Sequence, residues 1–100
     1  VYENAMMHEL EKLGIAAVRQ QPVPVYYDGV IVGDFIADIY VPDCLIVELK
    51  AVQVLAPAHT AQLVNYLNAT RIEDGLLINF GAASLDYHHR YRTFRRKKQE

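Results

Sequence analysis

The sequence predicts a mixed α/β domain in which helices pack on one β-sheet. Three observations carry that prediction. Residues 2–13 and 57–69 place apolar side chains at helical spacing. Residues 17–50 favour strand and are interrupted by two tight-turn signals. Residues 75–80 form a short, almost unbroken apolar run of the kind buried inside a sheet.

Taken in order, Ala5, Met6, Glu9, Leu10 and Leu13 recur at near-helical spacing, and Gly14 stands where a helix C-cap belongs. No N-cap residue precedes this helix, so its expected start lies upstream of Val1. Val18, Val23, Val25, Tyr26 and Tyr27 then favour a strand. Pro22 and Pro24 make that strand a sheet edge or irregular in its first half, because proline has no N–H to donate to a ladder. Asp28-Gly29 is a hairpin turn signal. The second strand covers 30–41, with Gly33 as a bend or bulge. Pro42-Asp43 turns the chain into a third strand, which ends at Lys50. A linker over 51–56 leads to Pro57, suited to the first turn of a helix whose apolar face draws on Ala61, Leu63, Val64 and Leu67. A buried strand follows over 75–80, stopped by Gly81, and then a last strand from Leu85 to about Phe94. The order is helix, three strands in a meander, helix, strand, strand. The third strand, second helix and next strand form a right-handed βαβ crossover.

With 100 residues the chain holds one domain and one modest core. A 52% hydrophobic and 22% charged composition is that of an ordinary globular protein and excludes a disordered or fibrous one. No apolar run is long enough to span a membrane, and the start lacks the features of a signal peptide. The single cysteine, Cys44, has no internal partner, which fits a reducing cytoplasm. Charge is unevenly placed: residues 1–89 hold four basic and eleven acidic side chains, residues 90–100 six basic and one acidic. The expected organisation is therefore a domain over 1–89 and a basic tail over 90–100. That tail can reach phosphates, although a solvated chain end is the preferred reading of it.

The chemistry concentrates on the second hairpin. Alternation puts Phe35, Ala37, Ile39 and Val41 on one face of the second strand and Ile36, Asp38 and Tyr40 on the other. On the third strand Leu45, Val47 and Leu49 oppose Ile46, Glu48 and Lys50. If Pro42-Asp43-Cys44 is a three-residue loop, Val41 pairs with Leu45 and Asp38 lies opposite Glu48. A two-residue loop would put the two carboxylates on opposite faces and split the apolar set, so the odd loop is expected. Carboxylates directly opposite across antiparallel strands sit about 4.5–5.5 Å apart at Cβ and repel. A divalent cation such as Mg²⁺ or Mn²⁺ would offset that repulsion, activate water and stabilise charge on a phosphate, with Lys50 beside it on the same face. The competing reading is a half-solvated strand face bearing a surface Lys–Glu pair. On the second helix Gln62 and Tyr66 are four residues apart and share a flank that can donate hydrogen bonds toward such a site.

These residues resemble a known family. Ala37-Asp38, then Glu48-Leu49-Lys50, then Gln62 through Tyr66 is similar to the PD-(D/E)XK nuclease superfamily, and the Gln-x-x-x-Tyr helix to its RecB-like branch. Val1 through Ala5, Gly33-Asp34, Ala37-Asp38, Val47 through Ala51, Ala61 through Leu67 and Gly75 through Gly81 further resemble the small bacterial GxxExxY proteins. The resemblance implies a helix-strand-strand-strand-helix-strand core. It implies Asp38 and Glu48 as metal ligands helped by the Leu49 carbonyl, Lys50 as the catalytic lysine, Gln62 orienting the site and Tyr66 supporting it. Tyr2 matches the tyrosine of GxxExxY, whose Gly and Glu would fall before Val1; Glu3 or His8 are the positions on the same helix that could stand in for that Glu. The activity implied is Mg²⁺- or Mn²⁺-dependent hydrolysis of phosphodiester bonds, with DNA the first candidate substrate. The alternative is a catalytically silent relative that binds nucleic acid or a protein partner, and so small a chain also directs attention to a homo-oligomer.

Other residues carry less. His59 is expected to cap or face solvent. His88 and His89 are adjacent on a strand, point to opposite faces and cannot converge on one ion. Cys44 has no histidine at a recognisable spacing and reads as a turn residue.

Overall fold

A computed structural model of the chain describes residues 1–83 and 85–92. Its elements are α1 (Tyr2–Lys12), β1 (Val18–Tyr27), β2 (Val30–Val41), β3 (Leu45–Lys50), α2 (Pro57–Thr70), β4 (Asp74–Asn79) and β5 (Asp86–Tyr91). The expected tail over 90–100 lies outside the described residues from position 93 onward. No helix among the described residues is long and apolar enough to cross a membrane.

The five strands lie in chain order across one sheet. β1, β2 and β3 form the antiparallel meander, β3 and β4 run parallel through the α2 crossover, and β5 returns antiparallel to β4. Local chemistry sets the boundaries. Gly14 takes φ +74° after α1, where a Cβ would be strained. Asp28 and Gly29, at φ +54° and +77°, form the two-residue turn that matches strand twist. Asp43 at φ +60° closes the three-residue loop, and the Cys44 N–H donates to the Val41 carbonyl. The proline-bearing β1 is an edge strand, as its sequence requires. The register slip between β1 and β2 falls between Val25 and Tyr26, whose partners are Gly33 and Ile31, so the extra residue is Val32, next to the expected Gly33.

Both faces of the sheet are covered. On one, Val23, Ala37, Ile46 and Leu77 pack with Leu63 and Leu67 of α2. On the other, Ile39, Val47 and Ile78 pack with Met6, Met7 and Leu10 of α1. This corrects the expectation that Phe35, Ala37, Ile39 and Val41 share one face. Phe35 and Ala37 belong to the α2 side and Ile39 to the α1 side, so the alternation of β2 breaks at Asp38. The break has a counterpart in β1. Between the pairs Arg19↔Ile39 and Gln21↔Ala37, Gln20 adopts φ +51° and makes no ladder pair with Asp38. Within α2 the buried stripe is Leu63, Leu67 and Thr70, while Ala61, expected on the apolar face, is exposed.

Candidate active site

The three-residue loop sets the register Val41↔Leu45, Tyr40↔Ile46 and Ile39↔Val47, and there the β2–β3 ladder stops. Continued by one step, it brings Asp38 opposite Glu48, as expected. At that step side chains replace the backbone ladder. The Asp38 N–H donates to Glu48 Oε2 at 3.3 Å, and the Leu49 N–H donates to Asp38 Oδ2 at 2.8 Å. Each carboxylate thus accepts a backbone N–H from the opposite strand. Beyond this exchange the strands part, and residues 48–50 pair only with β4, as Glu48↔Leu77, Leu49↔Ile78 and Lys50↔Asn79.

Electrostatics mark the same place. The Glu48 carboxyl is pushed up from its ordinary 4.5 to about 7, first by burial and then by the negative charge of Asp38. The Asp38 N–H and the Lys50 ammonium oppose the shift without cancelling it. Removal from water disfavours the charged form of a carboxyl, and a like charge beside it does the same. A hard dication would relieve both, and two carboxylates are the oxygen donors such an ion prefers. Asp38 Oδ2 and Glu48 Oε2 are engaged, which leaves one oxygen of each for a ligand. Among the described residues no group of three or more His, Cys, Asp or Glu side chains could hold a metal. The donor set therefore fits an ion that keeps several waters.

The remaining expected residues are distributed as follows. Lys50 ends β3, half-buried, its charge felt by Glu48. Tyr66 stacks on Phe35 with ring centroids 4.0 Å apart and planes 28° apart, which ties α2 to the strand carrying Asp38. Gln62 is exposed one turn earlier on α2. Glu3 does not join the carboxylate pair: it accepts from Arg19 Nη1 at 3.1 Å and from the Gln20 side-chain amide, so α1 grips β1 at the residue facing Asp38. His8 lies with Asn4, Met7 and Glu11 along a hollow beside α1 that contains none of Asp38, Glu48 or Lys50. Tyr2 stacks on Phe80, 4.5 Å between centroids and nearly parallel. His59 caps α2, its Nδ1 accepting the Ala56 N–H at 2.8 Å. His88 turns to Asp86 and His89 to Asp74, so the two imidazoles do not meet at one ion.

Sequence reasoning missed one residue of the site's frame. Asn79 is fully buried. Its Oδ1 accepts the Val52 and Gly81 N–H groups, each at 3.0 Å, and its Nδ2 donates to the Val52 carbonyl at 2.8 Å. The signal was present as a lone amide inside the apolar run Leu76-Leu77-Ile78-Asn79-Phe80, since a buried polar side chain must find partners.

A family model for the PD-(D/E)XK nuclease superfamily matches residues 1–92. Among solved structures the chain is similar to one described as the crystal structure of SSO0001. The TM-score is 0.64, and 16% identity extends over 91% of this chain and 48% of that one. This chain therefore spans about half the length of that structure, and the likeness concerns the fold alone. No curated protein matches the sequence.

Proposed function

Because the chain belongs to the PD-(D/E)XK nuclease superfamily, we propose that it hydrolyses phosphodiester bonds in nucleic acid through Asp38, Glu48 and Lys50, with DNA the first substrate to test. The observation that carries this is the pair of backbone bonds at the point where β2 and β3 separate, the Glu48 carboxylate accepting the Asp38 N–H and the Asp38 carboxylate the Leu49 N–H, with Lys50 two residues beyond Glu48. Asp38 and Glu48 are the residues that would hold Mg²⁺ or Mn²⁺. The Leu49 carbonyl is a further donor, because a residue's N–H and C=O point to the same side of an extended strand and its N–H already points at Asp38. The bound ion supplies Lewis acidity and lowers the pKa of water. Lys50 orients the attacking water and neutralises charge that develops on the phosphate. Glu48 holds its carboxylate toward the same point through the Asp38 N–H, and Gln62, exposed on α2, would donate to a substrate oxygen. The RecB-like branch and the GxxExxY family are the finer assignments we favour, on the Gln62-to-Tyr66 helix and the Gly75-to-Gly81 strand.

A second reading, a silent relative that binds nucleic acid or a protein partner, draws on Glu3. That carboxylate is committed to Arg19 and Gln20, so the described residues supply two side-chain ligands and no third. Two measurements separate the readings. Calorimetry with Mn²⁺ should find binding in the wild type that Asp38→Ala abolishes. Lys50→Ala should keep its fold and metal affinity and lose at least a hundredfold in cleavage rate. Cleavage undiminished in Lys50→Ala would remove the catalytic assignment, and metal binding without any turnover would favour the silent relative.

A further inference from the structure

The end of β3 has an unusual mechanical problem. Glu48, Leu49 and Lys50 have no backbone partner on the β2 side, because that ladder stops at Ile39↔Val47. Lys50 is also the last residue of its strand, where fraying is greatest. On the β4 side the Phe80 N–H donates to the Lys50 carbonyl at 2.8 Å and completes the parallel ladder. Two residues later the side chain of Asn79 takes over. It bonds both the N–H and the carbonyl of Val52, as a neighbouring strand would, and also accepts the Gly81 N–H. Gly81 lets the two segments come this close: a Cβ there would stand 2.5 Å from the Val52 nitrogen and oxygen. The chain leaving Lys50 is therefore fastened within two residues by a buried amide.

We infer that Asn79 is a positioning residue, holding Glu48, Leu49 and Lys50 against Asp38 by clamping Val52. The inference builds on the nuclease reading of this site, but its first test does not require turnover. The Leu49 N–H donates to the Asp38 carboxylate, so its hydrogen exchange reports directly on how well the two strands are held at the site. If Asn79 positions them, Asn79→Ala accelerates Leu49 exchange at least tenfold more than it accelerates the Ile39 and Val47 amides in the adjoining ladder. Equal acceleration at all three would mean that Asn79 only stabilises the fold, and would overturn the inference. Should Asn79→Ala fail to fold, Asn79→Asp keeps the size and both accepting bonds but sets a carboxylate oxygen against the Val52 carbonyl in place of the donated bond, and the same comparison applies. Turnover provides the second readout. A displacement of about 1 Å can cost about a hundredfold in rate, so kcat on a DNA substrate with Mn²⁺ should fall ten- to a hundredfold with KM within threefold. An unchanged kcat in a folded variant also overturns the inference. A wild type that cleaves nothing counts against the nuclease reading, and the Leu49 comparison then decides the positioning role by itself.

Discussion

Glu48 is a residue whose local chemistry has a consequence for the whole chain's stability. Folding raises its pKa from 4.5 to about 7, so the folded chain binds the proton more tightly than the unfolded chain. Its contribution to stability is present in full below about pH 4.5 and is lost as pH rises through about 7. At its limit the loss is on the order of 3 kcal/mol, less to the extent that water reaches the carboxyl. Without divalent ions, Glu48→Gln should melt several degrees above the wild type at pH 8, and the gap should close toward pH 4.5, since glutamine keeps an oxygen for the Asp38 N–H. Adding Mn²⁺ should narrow the gap by stabilising only the wild type. A pH-independent gap in thermal melts would mean that Glu48 is not held in this environment. The sequence showed this pair plainly, because loop length and the apolar pattern together set the register. It did not show the upward shift, which depends on burial contributed by elements far apart in the chain.

At the scale of elements, boundaries were legible wherever one residue type has one mechanical use: Gly14 after α1, Asp28-Gly29 between β1 and β2, Pro57 opening α2. The face of β2 was not. Strict alternation assigns Phe35, Ala37, Ile39 and Val41 to one side, and a distortion opposite Gln20 moves Ile39 to the other. Nothing in the residue pattern announces a left-handed glutamine, because the grip on it comes from Glu3 on a different element. The α2–β4 contact was equally hidden. Gly75 is buried, and a Cβ there would lie 2.9 Å from Leu63 Cδ1 and 3.0 Å from Leu67 Cδ1. Gly75→Ala therefore has to push α2 away from the sheet or force two leucines off their rotamers, at a cost of about 1–3 kcal/mol. Chemical denaturation should show that loss. Because Tyr66 lies on the same helix and stacks on Phe35, the variant should also weaken metal binding at Asp38 modestly.

For the whole molecule the governing fact is charge. Residues 1–92 carry six basic and eleven acidic side chains, an unfavourable balance for a body that, on the proposed function, would approach a polyanion. A dication held between Asp38 and Glu48, as proposed, would offset part of this locally, but it would not supply long-range attraction. The last eight residues add Arg95, Arg96, Lys97 and Lys98 against Glu100. If this basic stretch provides the phosphate contacts, each one releases counterions and steepens the dependence of binding on salt by about 0.9 in log–log slope on duplex DNA. Deleting residues 93–100 should then lower duplex affinity at low salt and flatten that slope by up to about 3.6 for four contacts. Mn²⁺ binding at Asp38 and Glu48 should be unaltered, because those ligands are positioned by β2, β3 and β4. Fluorescence anisotropy across a salt series, run on Lys50→Ala to prevent cleavage, makes the comparison. An unchanged slope after deletion would move the phosphate contacts back onto the folded body, where Arg71 and Arg90 would be the next side chains to replace.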